Sequence, residues 1–441
     1  MDRMLTDSRA DFSGGGGLFT AIIGEKTDGH RYIPQVIEKG AACVLLSEPE
    51  WIPETVPAGS AFVLVDRVER AMLDIALCCR QSLDIPFVSV TGSVGKTTTR
   101  EMTAEALSAG FRTFRTPKNF NGQVGIPVTF MSIADEEIAV LEAGISLPGE
   151  MKRLARVIRP DTVIMTNIGV SHIEFLGSRE GIFEEKFDLA RELSADGLLI
   201  VNGDDDILGA KDLRLPCPVI RAGLGEGNDV RAVDIAERAD GSSFTAVFPD
   251  ARVRVDLKVS GEHMVRDALL ALAAADHYHV PLEAAAAKLS GYEGFEGRQK
   301  IEESGGVRFI CDYYNASPDS MRAALKVLKD LPGAGRRVAV LGNMLELGPD
   351  SLKYHREVGA LAADCADTLV TVGDLAEEMA AGALEKKPGM EVKRFADTDA
   401  AAAAADGLFL PGDAVLLKAS NSMKLGRLKE TWEDKHRSTQ M

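Results

Sequence analysis

Long apolar runs are missing from the 441 residues: no stretch of about 20 hydrophobic residues, the length that spans a bilayer, occurs anywhere. The opening MDRMLTDSRADF has no basic segment leading into an apolar one, so neither export nor membrane insertion is expected. Cysteine is sparse. The six (Cys43, Cys78, Cys79, Cys217, Cys311 and Cys365) include no C-x-x-C pair, which excludes a disulfide scaffold and suits a reducing cytoplasm. Basic charge is in deficit, with 50 Lys and Arg against 67 Asp and Glu and a net charge of −17. That balance argues against a nucleic-acid partner or an anionic membrane surface, and an anionic ligand would need a locally positive pocket. What is present is 45% hydrophobic and 27% charged residues, the mixture of a chain that buries real cores. At roughly 150 residues per domain, about three domains are expected.

Short apolar runs at 17–23 and 41–46, with a helical pattern over 32–39, read as a small α/β unit, and the glycine run at 14–17 as its loop. A helical stretch over 67–81 leads to Ile85-Pro86, where proline marks a boundary. From Phe87 the pattern becomes strand, glycine loop, helix, repeated: FVSV, KTTTREMTAEALSAG, EIAVLEAG, GEMKRLARVIR, TVIMTNIG. Such alternation predicts a parallel sheet wrapped by helices. Strand patterns follow at 197–201 and, with period two, over 244–259, before an alanine-rich helix over 263–275. A third unit begins near Gln299, with buried-type strands at 307–311 and 337–341 flanking a helix over 317–328. The alanine run at 400–406 is a high-propensity helix piece. The expected domains are therefore 1–82, 83–298 and 299–441 in an α/β chain.

The most informative segment is VSVTGSVGKTTT at 88–99. A buried strand ends in a turn, Thr91, Gly92, Ser93, Val94, Gly95, and a helix starts at Lys96. Backbone N–H groups freed by such a turn, with a helix N-terminus behind them, cradle polyphosphate. Lys96 would neutralise the β and γ phosphates and the Thr97 hydroxyl would ligate Mg²⁺, with Thr98 beside it. Gly92 lies three residues before Gly95 rather than the usual five. A phosphate loop alone does not choose between hydrolase, kinase and ligase.

Three more residues bear on that choice. Glu142 ends the strand EIAVLEAG, where a carboxylate reaches a metal beside the nucleotide or serves only as a helix N-terminal charge. His172 follows the strand TVIMTNIG, as a metal ligand, an acid–base group or a plain polar loop residue. Lys186, near Glu184, Glu185 and Asp188 in REGIFEEKFDLAREL, reads on its own as part of an exposed ion-pair face.

Taken together the motifs resemble the Mur ligases, the ATP-dependent amide-forming enzymes of peptidoglycan precursor synthesis, across nearly the full chain. The resemblance is carried in order by TDSR at 6–9, VTGSVGKTTTREM at 90–102, TPKNFNGQVGIP at 116–127 and TNIGVSHIEFLGSREGIFEEK at 166–186. It continues with EGR at 296–298, DYYNASPDSM at 312–321, LGNMLELG at 341–348, His355 and LLKASNSM at 416–423. It implies a first domain for a UDP-sugar, a central P-loop ATPase domain built on a parallel sheet, and a C-terminal Rossmann-like domain for the incoming amine. It further implies ATP and Mg²⁺, with Lys96, Lys186 and His172 catalytic and Thr97, Glu142, His172 and Lys186 around the metal. In that family the lysine matching Lys186 is carbamylated by CO₂, which turns a cation into an oxygen ligand. Arg298 and Asp312 match positions that touch the nucleotide, and Thr6, Ser8 and Arg9 match the uridine end. Asn119, Asn121, Asn315, Ser317, Asn343 and Glu346 fall in motifs that shape the substrate and interdomain site.

LGNMLELG and NFNGQVGIP favour the branch joining D-alanyl-D-alanine to the peptide carboxylate of a UDP-N-acetylmuramoyl-tripeptide, acting as a monomer in the cytoplasm. The rivals are a family member adding the third amino acid, a folylpolyglutamate synthetase, and a noncatalytic nucleotide-binding regulator. The chain departs from the usual family residues at Gly122, Met264, Asp267, Asn343, Ala419 and Asn421.

Overall fold

The computed structural model describes residues 3–437 apart from 13, 15, 25, 239 and 240, so Gly15 of the glycine run lies outside the described residues. Three sheets succeed one another along the chain. The first has four parallel strands in chain order, Arg3–Leu5, Gly17–Thr20, Cys43–Leu46 and Ala61–Leu64. Alternation along its strands sends Phe19 and Val44 into one core with Ile33 and Val36, and Leu18, Cys43 and Leu45 into another with Val68 and Met72 of helix Val68–Ser82.

The central sheet has nine strands. Strand Phe87–Thr91 sits between Thr162–Met165 and Ile138–Glu142, parallel to both. These three strands are fully buried, as apolar runs without alternation require when helices cover both faces. Helices Lys96–Leu107 and Glu262–His277 pack on one face, Glu150–Ile158 and Arg179–Phe187 on the other. Alanines 268, 271 and 273–275 are buried, and their small side chains let the two helices of the first face lie close. One edge departs from the expected parallel sheet. Gly241–Val247 and Arg252–Leu257 pair antiparallel, because Phe248 N–H bonds Ala251 C=O at 2.9 Å and folds Pro249-Asp250 into a turn. The period-two pattern over 244–259 is thus a hairpin, broken where proline offers no N–H to a ladder.

The third sheet orders its six strands Lys300–Ser304, Val307–Cys311, Ala414–Lys418, Arg337–Gly342, Thr368–Val372 and Glu391–Phe395, all parallel except the first pair. Helix Pro318–Asp330 starts where Ser317 caps it, its hydroxyl and that of Ser320 closing a capping box. Val170 and Ile173, which belong to the central unit by sequence, pack with Met344 and Leu347 of the third, so an apolar contact seats one unit on the other.

Candidate functional site

The phosphate loop depends on glycine at two points. Gly92 has φ +149° and a Cβ there would stand 1.9 Å from Thr166 Oγ1; Gly95 has φ +85° immediately before helix Lys96–Leu107. The loop is clasped from the neighbouring strand. Ser93 N–H bonds Asn167 C=O (3.0 Å) and Val94 N–H bonds Asn167 Oδ1 (2.9 Å), while Thr166 Oγ1 and Asn167 Nδ2 donate to Val94 C=O at 2.5 and 3.1 Å. Lys96 Nζ rests on the carbonyls of Gly92 (2.9 Å) and Ser93 (3.2 Å). Burial pushes this amine down to about 8, with the Glu142 charge opposing and Arg298 reinforcing.

Glu142 is 1% exposed and its carboxylate is held on every side. Oε2 accepts from Thr97 Oγ1 (2.9 Å) and Arg100 (3.4 Å), and Oε1 from Asn121 Nδ2 (2.7 Å). Arg100 was not singled out from the sequence. It is fully buried, also bonds Lys118 C=O at 2.9 Å and Glu101, and its only signal in the chain is its place one helical turn after Lys96.

Lys186 is not on an exposed ion-pair face. That face belongs to Arg191, paired with Glu184 and Asp188 at 2.5 Å each, while Glu185 accepts Gly149 N–H (2.8 Å) and Met151 N–H (2.9 Å). Lys186 itself points inward with 0% exposure, and its Nζ has no hydrogen-bond partner. Burial and then the charge of Lys96 hold its pKa well below the ordinary value, against Glu185 and Glu142. A buried unpaired ammonium costs several kcal/mol, on the order of the penalty for any uncompensated interior charge, so burial favours the neutral form of this amine.

His172 turns the chain with φ +64° ahead of the short helix Ile173–Leu176, and its ring Nδ1 hydrogen-bonds the carboxylate of Glu346 from the third unit. That bond is the main reason the Glu346 carboxyl lies below its usual range.

Ser93, Val94, Gly95, Lys96, Thr98, Asn121, Glu142 and His172 line one cleft. Its opposite wall is Arg298, Asp312, Asn315, Ser317 and Lys418. Arg298 stacks over the Tyr314 ring at 4.1 Å. Lys418, buried, donates to Asp312 Oδ2 (2.6 Å) and to Asn315 C=O (3.0 Å). Where the two walls meet, Gln299 (φ +57°) accepts from His263 Nε2 through Oε1 at 2.5 Å and gives its amide N–H to Ser260 C=O at 3.0 Å. Lys418, His263 and Gln299 were legible only as motif neighbours.

Other residues marked in the sequence lie elsewhere. Thr91 turns its hydroxyl to Ala143 C=O (2.9 Å) inside the sheet, and Thr97 lies beneath the cleft on Glu142. Gly92 shapes the loop without lining the cleft, and Asn119 is exposed outside it. Asn343 is buried away from it, bonding Asp374 Oδ1 (2.7 Å) and Ala376 N–H (3.0 Å). Thr6, Ser8 and Arg9 follow the first strand of the first sheet, where Arg9 is exposed and pairs with Asp7 at 2.7 Å.

Asp267 lines the cleft behind Gly95 and accepts Thr99 Oγ1 at 2.9 Å. Burial raises its carboxyl from 3.8 to about 7, against the Thr99 bond and the Arg266 charge. The protonated form is the favoured one, so its stabilising contribution is complete below the ordinary value and disappears as pH rises through about 7. Asp267→Asn is expected to melt higher than wild type by a margin that grows from about pH 4 to about pH 8, reaching on the order of 4 kcal/mol. Thermal melts that run parallel at every pH would refute this.

Among the described residues no group of three or more His, Cys, Asp or Glu is placed to hold a metal alone. A protein-bound Mg²⁺ keeps waters and substrate phosphates and takes only one or two carboxylates from the protein. Thr97, Glu142 and His172 are side chains that could contribute to such a partial set, and the orphaned Lys186 amine lies within electrostatic reach of Glu142 and Lys96.

Family models match in three consecutive pieces: the Mur ligase family catalytic domain over 7–77, the Mur ligase middle domain over 90–275 and the Mur ligase glutamate ligase domain over 297–421. The UDP-N-acetylmuramoyl-tripeptide--D-alanyl-D-alanine ligase of Bacillus subtilis is 36% identical over 411 residues, covering 92% of this chain and 88% of its own. Among solved structures, MurF from Acinetobacter baumannii superposes with a TM-score of 0.86 at 30% identity over 98% of this chain and 93% of its own. MurF from Thermotoga maritima in complex with ADP gives 0.84 at 26%, over 99% and 98%.

Proposed function

The chain belongs to the Mur ligase family, and from that premise we propose that its cleft uses ATP to join D-alanyl-D-alanine to the peptide carboxylate of a UDP-N-acetylmuramoyl-tripeptide. It is an ATP-dependent ligase that forms an amide bond. The observation that carries the substrate-level reading is one cleft with two walls: Lys96, Glu142 and His172 on the central unit face Arg298 at the junction and Asp312 and Asn315 on the third unit, with Lys186 buried beneath.

A carboxylate is a poor acyl donor because its oxygen leaves badly. Its oxygen first attacks the γ-phosphorus of ATP, forming the acyl phosphate and breaking the bond to ADP. The free amine of D-alanyl-D-alanine then attacks the acyl carbon, loses a proton, and expels phosphate as the amide forms. The phosphate-loop amides and Lys96 hold the β and γ phosphates, so that the amine leaves the Gly92 and Ser93 carbonyls for the nucleotide. Arg298 and Asp312 approach from the other wall, and closing it shields the acyl phosphate from water. No enzyme nucleophile is required; most of the acceleration is positioning and charge.

Thr97, Glu142, His172 and Lys186 are the residues that would hold Mg²⁺, Lys186 as its carbamate. When bound, the metal screens the charge on the γ-phosphoryl group and orients it for attack. Support for the carbamate is the unpartnered amine, whose cationic form burial disfavours: the nitrogen of the neutral form bonds to the carbon of CO₂, one proton leaves, and a buried orphan becomes an oxygen ligand. We place the uridine end at Thr6, Ser8 and Arg9, beyond the carboxyl end of a parallel strand where α/β sheets take ligands. Asn315 and Ser317 sit in the wall that receives the amine, and Asn121 acts through Glu142. All six cysteines are free thiols, which favours the cytoplasm, and one chain supplies both walls, which favours a monomer. No helix among the described residues is long and apolar enough to cross a membrane.

The purified protein is expected to release phosphate from ATP only when the UDP-muramoyl tripeptide and D-alanyl-D-alanine are both present. Equal release with either one omitted would reject the ligation reaction.

A further inference from the structure

The contact between His172 and Glu346 crosses the boundary between two structural units that each contribute half of the cleft. Both residues have left-handed backbone, φ +64° and +63°, which is strained for any residue with a side chain. Such strain persists only where the surroundings over-determine it, and here they do.

The loop bearing Glu346 is braced from four sides. Met344 N–H bonds His355 Nε2 (2.9 Å), whose Nδ1 bonds Ser351 C=O (2.7 Å). Leu345 N–H bonds Ser420 Oγ (3.0 Å), Ser420 N–H bonds Asn343 C=O (3.0 Å), and the Asn343 side chain grips Asp374 and Ala376. Across the boundary Glu174 N–H bonds Glu346 C=O at 3.3 Å, and Val170 and Ile173 pack among Met344 and Leu347. Glu346 is therefore held at a defined place relative to His172 by both backbone and apolar contacts.

A carboxylate only accepts, so its bond to Nδ1 favours the tautomer with the proton on Nδ1 and the lone pair on Nε2. His172 lines the cleft, so this second nitrogen is the one free to ligate. A ligating imidazole is usually oriented in this way, its other N–H fixed by a carboxylate that sets the tautomer and raises basicity.

We propose that Glu346 is a positioning residue for the metal site: it fixes the tautomer and the ring plane of His172 from the third unit, so docking of that unit and filling of the metal site favour each other. The inference rests on the metal role of His172 proposed above. By reciprocity, whatever the docked third unit adds to metal affinity, the bound metal adds to docking. Asn343, which sequence motifs placed in the substrate site, acts here by holding the loop that carries Glu346.

The test uses Mn²⁺ as probe, titrated into the full-length protein saturated with ADP, with free Mn²⁺ read by electron paramagnetic resonance. Glu346→Ala is expected to weaken Mn²⁺ binding roughly 10- to 100-fold. Glu346→Gln, whose amide oxygen still accepts the Nδ1 proton, should keep most of the affinity, and His172→Ala should lose it. In metal-free wild type, ¹⁵N-histidine spectra should show His172 protonated at Nδ1, a signature absent from Glu346→Ala. Loss in His172→Ala with none in Glu346→Ala would overturn the inference and leave the ligase reading standing. No loss in either would remove the metal role of His172 and the inference with it. Equal loss in the Ala and Gln variants, or an Nε2-protonated ring in wild type, would mean that Glu346 does not orient the imidazole.

Discussion

Lys186→Ala is expected to lose ligation by about 10²- to 10³-fold or more, and millimolar bicarbonate or a short carboxylate such as formate is expected to return part of it. The reason is the position of the amine. Its Nζ is fully buried without a hydrogen-bond partner, and the cation is disfavoured by burial and by Lys96. Truncation to alanine opens a space at the end of which the missing anion was required, and a small carboxylate from solution can occupy it. Lys186→Met is the companion variant: it keeps a long unbranched side chain in the buried position but leaves no room, so it should be equally inactive and should not respond to added anion. Full activity of Lys186→Ala without supplement would discard the carbamate. Rescue of the methionine variant as well would show that the anion acts at some other place.

Lys96→Ala should cost at least about 10³-fold in kcat for ATP-dependent ligation, since a single well-placed cation on the transferring phosphoryl group is worth that much in related chemistry. Removing it also frees the Gly92 and Ser93 carbonyls that Nζ now occupies, so the loop loses a brace as well as a charge. The same residue predicts a pH profile. With its pKa brought down to about 8 by burial, Lys96 is charged near neutrality and loses its proton as the medium becomes alkaline. In the free enzyme kcat/KM for ATP should accordingly fall above about pH 8. A profile flat to about pH 10 would show that the amine keeps its ordinary pKa, and near-normal turnover by Lys96→Ala would remove it from phosphoryl transfer altogether.

Local pattern carried some of this site and not the rest. The phosphate loop was readable because its requirements are local: a strand, two glycines at left-handed or crowded backbone, and a lysine at the first turn of a helix all lie within twelve consecutive positions, 88–99. The strands of the hairpin at 241–257 are legible by the same logic but its turn is not, since period-two alternation continues on both sides of it and only Pro249-Asp250 marks it. Lys186 illustrates a deeper limit. Its neighbours Glu184, Glu185 and Asp188 suggest an exposed helix face, and that face exists, but the helix is rotated so that position 186 points into the core with Ile182 and Phe183. Charge pattern cannot tell a solvated lysine from a buried one when both are flanked by acids.

The chain by itself determined the order of three α/β units, the phosphate-binding turn and, through several motifs in sequence, membership of a ligase family. Tertiary structure alone decided that Arg100 and Asn121 grip Glu142, that Asn343 turns away from the cleft, and that Glu346 reaches His172 across 174 positions of sequence. Backbone turns and helix starts are dictated by a few adjacent residues. The partner of a polar side chain depends on which surfaces the packed cores bring together.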